Sequence, residues 1–286
     1  MPVLSVSAFS TGTVQIRPEH IRSNRTPLLW WLLTSRSWSA PRPINVYVIV
    51  HSEGVVLVDT GQDRASVTDP GYFPRGIVGW LYARLARFSI RPDETLTAGL
   101  AALGHSPHDV HTAVITHLHQ DHIGGLRELP TSRIVVSEIE WAQLDSPLAL
   151  VDGIMKDHIL LPGLNWSPVT PPPVVDPTIF PFTHAWDLFN DGSLLVLPTP
   201  GHTPGSLSVL LRQPGMPPLL FVGDLTYDVD LLAAQKVPGV GKLRGLLESS
   251  RAVNALRSRF PDLVVLAAHD PAAASLLAVA LVGNQR

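Results

Sequence analysis

The chain contains no cysteine. Disulfides and thiolate metal ligands are excluded together, so any metal site must be built from nitrogen and oxygen. Charge is sparse too. Charged residues make up 16% of the 286 positions, and 21 Lys and Arg against 24 Asp and Glu leave a formal net charge of -3. No long basic run is present, so the electrostatic footprint of a nucleic-acid binder is missing. Long apolar runs are missing as well. Leu28 to Leu33 and Ala272 to Val282 both fall well short of the roughly 20 residues that cross a bilayer. The opening MPVLSVSAFSTG has no charged segment leading into an apolar one, so no secretory signal is read there. The expectation is a cytoplasmic protein with neither a membrane nor a nucleic-acid partner.

What is present is an ordinary globular balance, 45% hydrophobic, on a chain long enough to bury a sizeable core. Short apolar runs bounded by turn residues predict strands at Ile44–Val50, Val55–Val58, Ala113–Thr116, Arg133–Val136, Leu194–Leu197, Leu207–Leu211, Leu219–Val222 and Leu263–Leu266. Helical spacing predicts helices over Thr95–Leu103, stopped by Gly104, and over Ser137–Asp145. A longer helix is predicted over Lys242–Phe260, where Leu243, Leu246, Leu247, Val253, Leu256 and Phe260 share one face. The mixture is an α/β pattern. Two stretches read as insertions on one domain spanning 1–286. Residues 63–92 carry aromatics and a helix over Ile77–Phe88, and residues 147–187 are proline-rich and expected to be mostly loop.

The most specific feature follows the strand Ala113-Val114-Ile115. It is His117-Leu118-His119-Gln120-Asp121-His122. Residues two apart on an extended segment point the same way, so His117 and His119 would present their imidazoles together. Gly124-Gly125 then permit a tight backbone. Three histidines and an aspartate within six residues suit a borderline ion such as zinc. His202 lies in the loop TPGHTPG between two apolar strands, and Asp224 and His269 follow two others. Singly, each fits an ordinary loop or core residue. Strand ends are nevertheless where α/β scaffolds place active groups.

The order HxHxDH, His, Asp, His resembles the metallo-β-lactamase superfamily, from Val58-Asp59-Thr60-Gly61 to His269-Asp270. That resemblance implies a four-layer αβ/βα sandwich holding two divalent metal ions. Zinc is the default, with iron, manganese or cobalt as alternatives. It assigns His117, His119 and His202 to one ion and Asp121, His122 and His269 to the other. Asp224 would bridge them, and Asp59 would support the ligands rather than bind. Two such ions with a bridging hydroxide would polarise a carbonyl and need no serine or cysteine nucleophile.

The absence of cysteine separates this chain from the common zinc β-lactamases. The Asp121-His122 doublet resembles instead the N-acyl-homoserine lactonases, the glyoxalase II thioesterases and some organophosphate hydrolases. Tyr227, three residues after Asp224, stands where the lactonases carry a tyrosine near the substrate carbonyl. A phenol suits a lactone oxygen. The tail Asp270 to Arg286 reads as apolar apart from Asp270 and Arg286, unlike the basic end expected of glyoxalase II. The expected activity is thus opening of N-acyl-homoserine lactones or similar lactones. Asp121 or Asp224 would act as proton shuttle and Tyr227 as hydrogen-bond donor. Other esters, thioesters or organophosphates are the alternative substrates, and a non-catalytic metal-stabilised binding protein is the third reading. Trp30, Trp31, Phe73, Trp80 and Tyr82 are candidates to line an acyl groove, with core packing or a homodimer contact as their other uses.

Overall fold

The computed structural model describes residues 1–282. Residues 283–286, the end of the C-terminal tail, lie outside the described residues. Seven strands form the first sheet: β1 (Val3–Ile16), β2 (Arg42–His51), β3 (Gly54–Val58), β4 (Ala86–Ser89), β5 (Val110–Val114), β6 (Arg133–Ser137) and β7 (Asn165–Val169), in the order β4-β1-β2-β3-β5-β6-β7. Five form the second: β8 (Trp186–Asp187), β9 (Leu194–Pro198), β10 (Leu207–Leu211), β11 (Leu219–Phe221) and β12 (Val264–Leu266), in the order β12-β11-β10-β9-β8.

The strand sequences explain the layering. The central strands, such as β3, β9 and β11, are almost wholly apolar because both faces are covered. On the first sheet Tyr47, Ile49, Val56, Val58, Val114 and Val135 point to the core between the sheets. Their neighbours Val46, Val48, Val55, Leu57, Ala113 and Ile134 point outward, under the helix Leu96–Ala102. On the second sheet Leu194, Val196, Val209, Leu219 and Phe221 meet the first sheet. Leu195, Leu197, Leu210 and Leu220 face the helix Leu243–Arg259. This period of two on both sheets gives helix, sheet, sheet, helix, the expected four-layer sandwich.

Helix positions follow the sequence pattern closely, with informative departures. Thr95 caps its helix by accepting from Ala98 N–H at 3.2 Å, and Gly104 takes φ +82° just beyond it. In Leu243–Arg259 the buried face is Leu246, Val253 and Leu256, while Leu243 is exposed at the first turn. The helix expected over Ile77–Phe88 is instead Gly76–Leu85, and Ala86–Phe88 belong to β4, paired with β1. Residues 147–187 hold more structure than expected, including the helix Lys156–Ile159, β7 and β8. Among the described residues no helix is long and apolar enough to cross a membrane.

Candidate metal centre

All the candidate ligands follow the C-terminal ends of strands. His117, His119, Asp121 and His122 come after β5, His202 after β9, Asp224 after β11 and His269 after β12. The rings of His117, His119 and His202 gather with centroids 4.6 to 4.8 Å apart. Two groups, His117/His119/His202 and Asp121/His122/His269, have ligand atoms close enough to share an ion. Asp224 joins His117 and His122 in a third. Asp224 stands between the groups with its oxygens divided. Oδ1 lies 3.4 Å from both His122 Nε2 and His269 Nε2, and Oδ2 lies 3.5 Å from His202 Nε2.

The fit to a cation follows from where the imidazole protons must be. His122 Nδ1 and His269 Nδ1 face pure acceptors, Asp59 Oδ2 at 2.8 Å and Pro43 O at 2.9 Å, so each donates from Nδ1. His119 Nε2 donates to Asp152 O at 3.0 Å. Thr116 commits its hydroxyl proton to Asp59 Oδ2 at 2.9 Å, so His117 Nδ1 donates to Thr116 Oγ1 at 3.1 Å. In the neutral rings the opposite nitrogens are bare lone pairs, and they point inward. His117 Nε2 and His202 Nε2 each lie 3.0 Å from His119 Nδ1. His122 Nε2, His269 Nε2 and Asp224 Oδ1 are buried with no hydrogen-bond partner among the described residues. Converging lone pairs with the far nitrogens held by a carboxylate, a carbonyl or a hydroxyl, as at His117, His119, His122 and His269, are the arrangement that orients histidines on a metal, while His202 Nδ1 has no such partner among the described residues.

The electrostatics press the same way. Burial pushes His117 well below the usual imidazole range and His202 down to about 3. At His122 burial also opposes the charge, but Asp59 and Asp224 outweigh it and raise the pKa. At His269, Asp224 and Asp121 overcome burial in the same way. Burial works against Asp224 as an anion, yet His269 and His122 hold it well below the carboxylate range. These carboxylates call for positive charge at the centre.

Several residues hold the candidate ligands in place. Asp59 takes φ +60° and accepts from Thr116 N–H at 2.7 Å as well as from Thr116 Oγ1 and His122. Glu140 has no counterpart in the sequence reading. Its buried carboxylate accepts Leu118 N–H at 3.0 Å and Gly205 N–H at 3.1 Å, tying the HxHxDH loop to the loop of His202. Its signal was the Ser137-x-x-Glu140 spacing of a capping box. Ser137 does cap Glu140 N–H at 3.0 Å, but the glutamate side chain leaves the helix for the loops. At Gly124 a Cβ would stand 2.0 Å from Asp63 N, so the tight backbone there requires glycine.

Tyr227 is 2% exposed and donates to Asp224 Oδ2 at 2.6 Å. Burial and the Asp224 charge raise its pKa well above 10, so it stays a phenol. The five aromatics considered for an acyl groove differ in exposure. Trp30 and Trp80 are 63% and 50% exposed on helices Leu28–Thr34 and Gly76–Leu85, whereas Trp31 is buried. Phe73 packs among Tyr72, Tyr82 and Phe88. Tyr82 donates to Leu150 O at 2.8 Å. The segment it grips carries exposed Leu148, Leu150 and Val151 and reaches His119, which the Gly153 Cβ position would approach to 2.7 Å.

Residues 39–269 match the metallo-beta-lactamase superfamily. The chain belongs to that superfamily. The N-acyl homoserine lactonase AttM of Rhizobium radiobacter is 31% identical over 233 residues, covering 80% of this chain and 82% of the relative. A probable metallo-hydrolase of Mycobacterium tuberculosis is 30% identical over 244 residues, covering 79% and 74%. Among solved structures, an N-acyl homoserine lactone hydrolase with the product N-hexanoyl-L-homoserine at its catalytic metal centre superposes with TM-score 0.75. It covers 95% of each chain at 21% identity, a likeness of fold.

Proposed function

We propose that this metallo-β-lactamase superfamily member is a dinuclear metal hydrolase that opens the lactone ring of N-acyl homoserine lactones. The observation that carries the dinuclear reading is the inward convergence of histidine lone pairs on either side of an Asp224 whose two oxygens face different groups. His117, His119 and His202 would hold one ion. Asp121, His122 and His269 would hold the other, and Asp224 would be shared. With nitrogen and oxygen donors and no thiolate, zinc is the ion we assign, over iron, manganese or cobalt. Bound there, the ions would supply Lewis-acid polarisation of the ester carbonyl and activation of water at neutral pH.

The chain's own residues do the rest. Tyr227 keeps its proton and offers it as a hydrogen bond to an oxygen gaining negative charge near Asp224. Asp121 is the carboxylate with solvent access, its side chain 17% exposed against 5% for Asp224. We therefore assign the proton shuttle to the departing alkoxide to Asp121. Leu148, Leu150 and Val151, exposed on the segment that reaches His119, would give an acyl tail an apolar surface. The lactonase relative at 31% identity supports this substrate over a thioester or phosphotriester. A panel of acyl-homoserine lactones, thioesters and phosphotriesters with the zinc-loaded protein tests it. Lactone turnover should exceed the others, and fast thioester or phosphotriester turnover without lactone opening would sink the assignment.

A further inference from the structure

His20 has no part in that account, yet it sits at its centre. It lies on the short helix Pro18–Ile21, buried, with Nε2 2.9 Å from the Tyr227 hydroxyl oxygen. That same oxygen is 2.6 Å from Asp224 Oδ2. A carboxylate only accepts, and a phenol has a single proton. Tyr227 commits its proton to Asp224, so its contact with His20 is a hydrogen bond only if His20 donates from Nε2. Burial outweighs Asp224 and Asp121 and brings His20 down to about 4, leaving a neutral ring with one proton. With that proton on Nε2, Nδ1 is a bare acceptor, and it is indeed buried without a partner among the described residues. The other tautomer would bury an unpaired N–H at Nδ1 and set two lone pairs against each other at Tyr227.

The surroundings hold this imidazole firmly. Gly239 N–H donates to His20 O at 3.0 Å, and Ser23 N–H donates to Val237 O at 2.9 Å. A Cβ at position 239 would lie 2.1 Å from Glu19 O, so the strap can close only on glycine. Ser35 donates to Glu19 Oε2 at 2.8 Å. The Tyr227 ring meets His20 edge-on at 5.1 Å, and Trp31 stands 6.2 Å away on its own ring centroid.

We propose that His20 is a positioning residue that fixes Tyr227 as a one-proton donor aimed at the reacting oxygen. The assignment rests on the lactone reading of Tyr227. The Nε2–H of His20 occupies a lone pair of the phenol oxygen, locks the side chain's direction and polarises the O–H bond toward Asp224 or the substrate. It stabilises the partial negative charge left on the phenol oxygen when the substrate draws on its proton. It does not relay that proton, because surrender of Nε2–H by a neutral ring would leave an imidazolate.

The test uses the zinc-loaded full chain with His20→Leu and His20→Gln, each alone and with Tyr227→Phe. His20→Leu should lower kcat about tenfold, the worth of one hydrogen bond, with KM within about twofold of the parent. His20→Gln, whose amide N–H replaces the donor, should recover most of that loss. In the Tyr227→Phe background His20→Leu should cost less than about twofold more. Equal losses for Leu and Gln, or full multiplication with Tyr227→Phe, would overturn the proposal. So would a fall in zinc content in His20→Leu that Tyr227→Phe does not share.

A second arm needs no turnover. In nitrogen-15 histidine-labelled protein, the resonance missing from His20→Gln should carry its proton on Nε2; a proton on Nδ1 would overturn the assignment. Failure to open lactones with the Nε2 proton in place overturns the substrate reading and leaves the His20 geometry standing. Lactone opening with an Nδ1 proton overturns His20 alone.

Discussion

Glu140→Gln isolates the tie between the two ligand-bearing loops. The carboxylate accepts one backbone N–H from each loop, at 3.0 and 3.1 Å, in a fully buried position. An amide in the same place keeps one oxygen and turns an NH2 group toward the other N–H. One buried donor is orphaned, which costs about 1–3 kcal/mol, and the surviving bond loses the assistance of a charge, about 1 kcal/mol more. Easier burial of the neutral amide offsets part of this. A net loss of about 2–3 kcal/mol is expected as a lower urea midpoint at unchanged slope. Leu118 lies between His117 and His119, and Gly205 follows His202, so zinc affinity should also fall, about 10- to 100-fold. Urea titration of the chelated protein and competitive zinc titration of the folded protein read the two effects separately. The control is Glu138→Gln, an exposed neighbour bonded to Thr170, which should leave both unchanged. An Glu140→Gln protein with the parent's midpoint and zinc affinity would refute the reasoning.

Asp59→Asn leaves His122 Nδ1 and two Thr116 donors facing a side chain with one acceptor oxygen, so affinity for one zinc should drop about 10- to 100-fold. Zinc titration should show one weakened site of two, and two unperturbed sites would count against the role given to Asp59. Asp224→Ala removes the carboxylate between the groups, and metal analysis should find fewer than two ions per chain with turnover abolished; unaltered turnover would reject the assigned centre. Chelation should lower the melting temperature, because an ion held only by the folded state at a thousand times its dissociation constant adds about 4 kcal/mol. Calorimetric scans that coincide with and without chelator would contradict metal binding by this cluster.

The parts of this protein that were legible in its sequence are those whose signal is local. The central strands of both sheets announce themselves because burial on two faces leaves uninterrupted apolar runs such as Leu194–Leu197. The histidines and aspartate of residues 117–122 are close in sequence as well as in space. β1 was missed for a physical reason: irregularities between Val3 and Ser5 and between Ser10 and Thr13 break the phase of its alternation, and Ser and Thr fill its polar positions. β7 hides behind Pro168, tolerated because the strand is an edge of its sheet. Ala86–Phe88 continue the apolar character of the preceding helix, and only pairing with β1 makes them a strand. Glu140 and His20 act across loops 65 and 207 residues apart, a relation no spacing rule reports.

Four of the candidate ligands follow β5 on the first sheet, and the other three follow strands of the second. The centre thus exists only at the seam where the two halves meet. During synthesis the HxHxDH loop is made well before Asp224 and His269 emerge, and on the proposed assignment it would not complete either ion's coordination alone. On the proposed assignment, metal capture would be a late step in the life of the chain, following the docking of one sheet on the other. Ions held by the proposed ligands would rivet the halves together at one rim of the sandwich.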